Sequence, residues 1–246
     1  MCKDCGCQSG NKRMYFGVMN SILSDHNHNH NLKKISLNSD VLAKNDRLAE
    51  SNRNWFKKHS IKSINMMSSP GAGKTSLLEK TLDIFPETKK ITIITGDQEE
   101  SFDADRLEGR GAVIKQLNTY SSCHLDAQMI SRELGESVKE NTDLLVIENV
   151  GNLVCPAAFD LGEEKKIALL STTEGEDKPS KYPVLFHSAS VIIITKVDLI
   201  PHLDWSLEKC IYHIRKINPT SPIIKVSAKT GEGMHKWINF LNALWE

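Results

Sequence analysis

The sequence predicts an α/β domain in which a doubly wound, mostly parallel sheet carries helices on both faces. Three observations predict it. Apolar runs of strand length alternate with segments of helical spacing across residues 60–246. Several of those runs, such as Val191-Ile192-Ile193-Ile194, are continuously apolar, as strands covered on both faces require. Finally, a glycine-rich turn, Ser68-Ser69-Pro70-Gly71-Ala72-Gly73-Lys74-Thr75, lies between the first strand-like run and a helix-like one. Strand, glycine turn, Lys-Thr and helix in that order form the context of a phosphate-binding loop.

Composition bounds the partners. Among 246 residues, 31 Lys and Arg balance 31 Asp and Glu, so the formal net charge is zero and nothing argues for a nucleic-acid or membrane surface. No apolar run approaches the roughly 18 residues of a spanning helix. The N-terminus is polar and Cys-rich, unlike a secretory signal. Three of the six cysteines fall within the first seven residues, which reads as metal binding in a reducing, cytoplasmic setting rather than as disulfides.

The first 38 residues have no hydrophobic period and read as a flexible metal-binding tail. Cys2, Cys5 and Cys7 can wrap one soft metal ion. Removal of Met1 would leave a free amine beside the Cys2 thiol, an N,S chelate that suits square-planar Ni²⁺, whereas Zn²⁺ prefers tetrahedral thiolates. His26, His28 and His30 alternate with Asn27, Asn29 and Asn31; weak metal binding and a plain solvated linker fit that stretch equally well.

Residues 39–59 read as an amphipathic helix, capped by Ser39 or Asp40 and running to about Lys58. Val41, Leu48 and Trp55 recur every seven residues with Leu42, Ala49 and Phe56 beside them, and the stripe is expected to pack on the domain that follows. In that domain, residues 60–246, the expected strands are Ile61–Met67, Ile91–Thr95, Ala112–Leu117, Asp143–Glu148, Ile167–Ser171, Val191–Thr195 and Ile223–Val226. Helices are expected after Thr75, His124, Asp204 and Gly233.

The chemistry follows from these placements. Gly71 and Gly73, with Ala72 between them, let successive N–H groups aim at phosphate oxygens, and the helix that opens at Thr75 and Ser76 adds its positive end. Lys74 then reaches the β- and γ-phosphates, and the Thr75 hydroxyl can ligate Mg²⁺. Glu148 ends a buried run and is followed by Gly151; an acid there sits near the Mg²⁺ shell and the glycine N–H senses the γ-phosphate. Asp97 and Asp103 follow the second strand, where an acid can be carried to the attacking water or to Mg²⁺. Thr195-Lys196-Val197-Asp198 is similar to the guanine-reading motif of GTPases, with Thr195 where Asn is usual. Asp198 would accept two hydrogen bonds from the base while the Lys196 stem covers its face, and adenine lacks the matching donors. Ser227-Ala228-Lys229 reads as the second base-contacting loop. Two such loops in this order favour GTP and GDP over adenine nucleotides. Cys123 and His124 are expected to begin a helix, and Cys155 lies just beyond Gly151. Two thiolates and an imidazole suit Zn²⁺ or Ni²⁺, with water or a symmetry-related subunit completing the shell. Cys210, in an apolar helical run, reads as simple core.

Taken together, Cys2-Cys5-Cys7, Leu42-Ala43-Lys44-Asn45-Asp46, the phosphate loop, Gly96-Asp97-Gln98, Cys123-His124-Leu125-Asp126-Ala127, the run from Glu148 to Pro156 and Lys196-Val197-Asp198 resemble the HypB family, the nickel-incorporation GTPases of nickel–iron hydrogenase maturation. The resemblance covers nearly the whole chain. It implies a P-loop G domain of the SIMIBI type, slow GTP hydrolysis, homodimerisation, and delivery of Ni²⁺ to the hydrogenase large subunit with a small zinc-and-nickel accessory partner. It implies that Cys123, His124 and Cys155 form a metal site at or near the dimer interface, and that Cys2, Cys5 and Cys7 form a separate, tighter nickel site. A urease-type nickel GTPase and a metal-buffering scaffold with purely structural nucleotide binding are the rival readings.

Overall fold

Period-two alternation in the apolar strands builds the two faces of a sheet, and each face has its own helices. In the computed structural model, residues 32–97, 102–120 and 122–246 are described. Their elements run α1 (Leu32–Lys58), β1 (Lys62–Met67), α2 (Lys74–Ile84), β2 (Ile91–Asp97), α3 (Phe102–Leu107), β3 (Val113–Asn118), α4 (Ala127–Glu133), β4 (Leu144–Glu148), α5 (Cys155–Ala158), β5 (Lys165–Ser171), α6 (Lys178–Lys181), α7 (Pro183–Ser188), β6 (Val191–Thr195), α8 (Leu207–Ile217), β7 (Ile223–Lys225) and α9 (Met234–Asn242), with short 3-10 turns at Val197–His202 and Ala243–Trp245. The strands form one sheet in the order β3-β2-β4-β1-β5-β6-β7, every pair parallel. This is the P-loop GTPase fold.

Alternate residues of each strand go to opposite layers. Leu144 and Val146 of β4, with Val191 and Ile193 of β6, pack on Leu77 and Leu78 of α2 and Trp237 and Leu241 of α9. On the other face, Leu145 and Ile147 meet Phe56 of α1 and Ile130 of α4, while Ile192 and Ile194 meet Phe186 of α7 and Ile214 of α8. Cys210 of α8 is fully buried in that second layer, as its apolar setting predicts, and burial pushes its thiol up to about 12.

Topology fixes where a ligand can sit. The chain leaves β1 for β2 and β3 on one side, returns to insert β4 beside β1, and then crosses to β5 on the other flank. A crevice therefore opens outside the carboxyl ends of the strands at β1, the position where open α/β sheets bind ligands. Register places Glu148 level with Met66 of β1 and Thr95 of β2, at that same edge.

Two expectations need correcting. Helix α1 begins at Leu32, ahead of Ser39 and Asp40, so neither residue is its cap. Its deepest line is also not the Val41–Leu48–Trp55 series, because Val41 is 49% exposed and Leu48 and Trp55 are only half-buried. The line that is buried runs Asn45, Ala49, Asn52, Phe56; it keeps Ala49 and Phe56 of the expected stripe but is centred about one residue further round the helix. The reason is hydrogen bonding: both asparagine side chains satisfy backbone groups of the domain beneath, a contact an apolar pattern does not register.

Candidate functional site

The loop between β1 and α2 turns back on itself through two left-handed glycines, Gly71 at φ 70° and Gly73 at φ 95°. Gly73 immediately precedes α2, so the first amides of that helix face the crevice. The loop is fastened from β6. The Thr195 hydroxyl donates to the Ala72 carbonyl at 2.6 Å, and Lys196 Nζ donates to the Gly71 carbonyl at 2.7 Å. Thr195 thus joins the base-side loop to the phosphate loop, and Ala72, fully buried, contributes backbone rather than lining.

Two adjoining cavities follow. One, of about 310 Å³, is lined by Gly73, Ser76, Thr195, Lys196, Asp198, Ser227, Ala228 and Lys229, among others. The second, of about 460 Å³, is lined by Gly71, Lys74, Thr75, Asp97, Asp103, Arg106, Glu148 and Gly151, among others. Gly73, Ser76 and Lys196 belong to both, which makes a single elongated cleft with an apolar end and a charged end. Gly151 is a close approach: a Cβ there would lie 2.8 Å from Cα of Pro70, so only glycine lets the strand end pack on the phosphate loop.

Buried charge dominates the second cavity. Lys74 is 8% exposed and donates to Ser68 Oγ at 3.1 Å. Burial lowers its pKa, against the pull of Glu148, Asp103, Asp97 and Glu174. Burial likewise pushes Glu148 up to about 7, opposed by the Lys74 charge and by the Thr75 hydroxyl, which donates to Oε1 at 2.8 Å. Glu148 Oε2 is buried with no hydrogen-bond partner among the described residues, and so is Thr95 Oγ1. A carboxylate oxygen left bare beside a threonine hydroxyl is the donor set of a hard divalent cation, so these residues fit Mg²⁺.

Cys123, His124 and Cys155 form a second group. Their ligand atoms all lie within 4.8 Å of one another, and Cys123 Sγ is 3.9 Å from His124 Nδ1. The His124 ring stacks on Phe159 at 3.9 Å. Burial lowers the His124 pKa, with Asp126 opposing, which favours the neutral imidazole that a metal requires. Two sulfurs and an imidazole nitrogen at this spacing fit Zn²⁺ or Ni²⁺. Cys123 and His124 do not begin a helix, however. Asp126 is the cap of α4, its Oδ1 accepting from the Met129 N–H at 2.8 Å, and that holds the two ligands in the preceding loop. Cys155 does open a short helix and is buried.

The two groups are joined by Asn149, the residue after Glu148. Its Oδ1 accepts from Leu125 N–H at 3.1 Å and Val150 N–H at 3.0 Å, so the end of β4 is bonded directly to the residue beside His124.

Every nucleotide-side residue expected from the sequence thus borders or supports the cleft, and the three G-domain metal candidates converge. Cys2, Cys5, Cys7 and the histidines at 26, 28 and 30 lie outside the described residues, as does Gln98. Sequence reasoning missed Arg106, whose guanidinium donates to Ser76 Oγ at 3.0 Å at the cavity edge. It also missed Glu174 and Lys178, which bond Ser69 at 2.6 and 3.0 Å. Arg106 was legible as the basic residue closing Asp103-Ala104-Asp105-Arg106; Glu174 and Lys178 carried no motif.

Comparison with known proteins adds the following. A family model for the nucleotide-binding domain of CobW/HypB/UreG matches residues 62–225. The hydrogenase maturation factor HypB of Escherichia coli K12 is 48% identical over 209 residues, spanning 85% of this chain and 72% of that protein. Two solved structures are similar. HypB from Helicobacter pylori in complex with nickel has TM-score 0.75 and 37% identity, over 81% of this chain and 94% of that one. The hydrogenase maturation factor HypB from Archaeoglobus fulgidus has TM-score 0.78 and 38% identity, over 83% of this chain and 100% of that one.

Proposed function

The chain belongs to the HypB family within the CobW/HypB/UreG nucleotide-binding group, and from that premise we propose that it is a GTP-hydrolysing nickel metallochaperone that delivers Ni²⁺ to the large subunit of a nickel–iron hydrogenase during maturation. The observation that carries this reading is the convergence of Cys123, His124 and Cys155 on the segment that follows β4, whose end bears Glu148 and which passes through Gly151 before Cys155. The nickel complex of the Helicobacter pylori relative supports it.

Each residue's role follows from its chemistry. Asp198 accepts from the N1–H and exocyclic amine of guanine, the Lys196 stem lies along the ring, and the backbone of Ser227, Ala228 and Lys229 closes the base pocket. Amides of Gly71 through Ser76 cradle the phosphates, with Lys74 on the β- and γ-oxygens. Thr75 and Glu148 would hold Mg²⁺, which would supply charge neutralisation at the phosphates. Asp97 or Asp103 orients the attacking water. Gly151, pressed on Pro70, offers its N–H to the γ-phosphate, and Cys155 follows it on the same segment. Nucleotide state therefore moves a ligand of the cargo metal. Linkage then makes metal alter nucleotide affinity by the same factor, typically about 1–3 kcal/mol.

Three ligands leave one position for water or for a second copy, which favours a homodimer stabilised by GTP and metal. A small zinc-and-nickel accessory protein and the hydrogenase precursor are the partners, and the cytoplasm the setting; among the described residues no helix is long and apolar enough to cross a membrane. Cys2, Cys5 and Cys7 hold Ni²⁺ separately. Lys74→Ala tests the reading: hydrolysis falls roughly 10²–10³-fold, metal binding is kept, and hydrogenase maturation is lost in a strain carrying the variant. Retained maturation would mark a metal-buffering scaffold instead.

A further inference from the structure

We infer that α1 is a working part of the metal site, with Asn45 and Asn52 as positioning residues that staple the loop bearing Cys123 and His124 to the segment bearing Cys155. This rests on the reading of those three residues as a metal site.

The two ligand-bearing segments are far apart in sequence, and a site assembled from them needs something to hold their spacing. Backbone pairing does not supply it, because α4 and α5 both lie outside the sheet. Phe159, just after α5, touches the first segment by stacking on His124, but a ring stack slides. Asn149 ties Leu125 to the end of β4, ahead of Cys155, and the side-chain hydrogen bonds that reach the far side of both segments come from α1. Asn45 Oδ1 accepts from the Ala127 N–H at 2.9 Å while its Nδ2 donates to the Asp160 carbonyl at 2.8 Å. Asn52, two helical turns on, donates from Nδ2 to the Ala127 carbonyl at 2.9 Å and to the Leu161 carbonyl at 3.1 Å. Both peptide groups of Ala127 are thus held, and the same two side chains hold consecutive carbonyls at 160 and 161.

Three further features fit a clamp rather than incidental packing. Asn45 and Asn52 are 5% and 0% exposed, and Asn52 Oδ1 has no partner among the described residues. Burying an orphan acceptor is unfavourable, so Asn52 is retained for its donors. Arg53 Nη2 reaches Asp160 Oδ2 at 2.6 Å and closes the outer edge of the same junction. Gly162, at φ 91°, passes so near that a Cβ would lie 2.5 Å from the Ala49 carbonyl of α1.

The test uses full-length chain carrying Cys2/Cys5/Cys7→Ala, so that only the Cys123, His124 and Cys155 group is read. Ni²⁺ and Zn²⁺ affinities come from chelator competition, ligand geometry from the thiolate charge-transfer band of Co²⁺, and nucleotide affinity from GDP titration. Asn45→Ala should weaken both metals about tenfold or more and shift the Co²⁺ band, with GDP affinity kept within about twofold, as outer-shell partners of metal ligands do. Arg53→Met, on the exposed edge, should show the same signature at about threefold and stands in if Asn45→Ala does not fold. Metal affinity and Co²⁺ band unchanged in the folded variants would overturn the inference. Cys155→Ala, measured alongside, separates the two levels: if it too leaves metal binding intact, the metal-site reading itself has failed.

Discussion

The phosphate end of the cleft and the metal group beside it are built on opposite principles. At the phosphate end, charge is buried ahead of any ligand. Lys74 is pulled down and Glu148 pushed up to about 7 by the same desolvation, and Glu148 Oε2 has no partner among the described residues. The phosphate-loop residues Gly71 to Ser76 are contiguous, and Glu148 reaches them from the end of β4, which pairs directly with the strand that feeds the loop. At the metal group, burial instead lowers the His124 pKa against the pull of Asp126, and the geometry comes from two separated segments fastened by a helix from outside the sheet. One end stores electrostatic strain that a cation and a polyphosphate would relieve; the other stores position. Asn149, bonded to Leu125 and Val150, is where they meet.

The sharpest way to break this contrast is to damage the cleft far from the metal. Asp198→Ala should cut the preference for GDP over ADP by 100-fold or more, since discrimination by a buried polar match reaches about 10⁴–10⁵. Metal affinity at Cys123, His124 and Cys155 should stay unchanged in the nucleotide-free protein. Competitive titration of the two nucleotides checks the first part and chelator competition the second.

A smaller effect tests the stored charge. Glu148 has its folded pKa raised to about 7, above the ordinary 4.5. The folded state therefore holds more protons than the unfolded one between those values. Its contribution to stability is full below about pH 4.5 and is lost as pH rises through 7. In nucleotide-free protein without Mg²⁺, Glu148→Gln should change little at pH 5 and stabilise by about 1–3 kcal/mol at pH 8, the attraction to Lys74 being already contained in the raised value. Thermal melts at the two pH values read it; equal effects at both would mean the carboxylate is not strained.

The same contrast explains what was legible in the sequence. The strands were, to within a residue or two at most ends, because continuous Ile, Val and Leu runs are what a sheet covered on both faces demands: Val191–Thr195 was found as expected, and Asp143–Glu148 begins at Leu144. So was the cleft, since Lys74, Thr75, Glu148 and Asp198 each sit in a short motif whose chemistry is local. Strand order was not, because insertion of β4 between β2 and β1 is a tertiary choice. Nor was the phase of α1. Apolar periodicity pointed to Val41, Leu48 and Trp55 with Leu42, Ala49 and Phe56 beside them; Ala49 and Phe56 are buried, but the stripe is completed by Asn45 and Asn52, polar residues whose value appears only once Ala127, Asp160 and Leu161 are beneath them. Short helices with proline in the first turn, such as α5 and α7, also left no period to read.

The measurement that bears most directly on a GTP-gated nickel carrier is Ni²⁺ affinity in the full-length Cys2/Cys5/Cys7→Ala protein, by chelator competition, with GDP and with a non-hydrolysable GTP analogue. A several-fold difference between the two states is the expected result and would place the gate in the segment that links Gly151 to Cys155. Equal affinities would contradict it, and would leave GTP to control assembly while the N-terminal cysteines carry the metal.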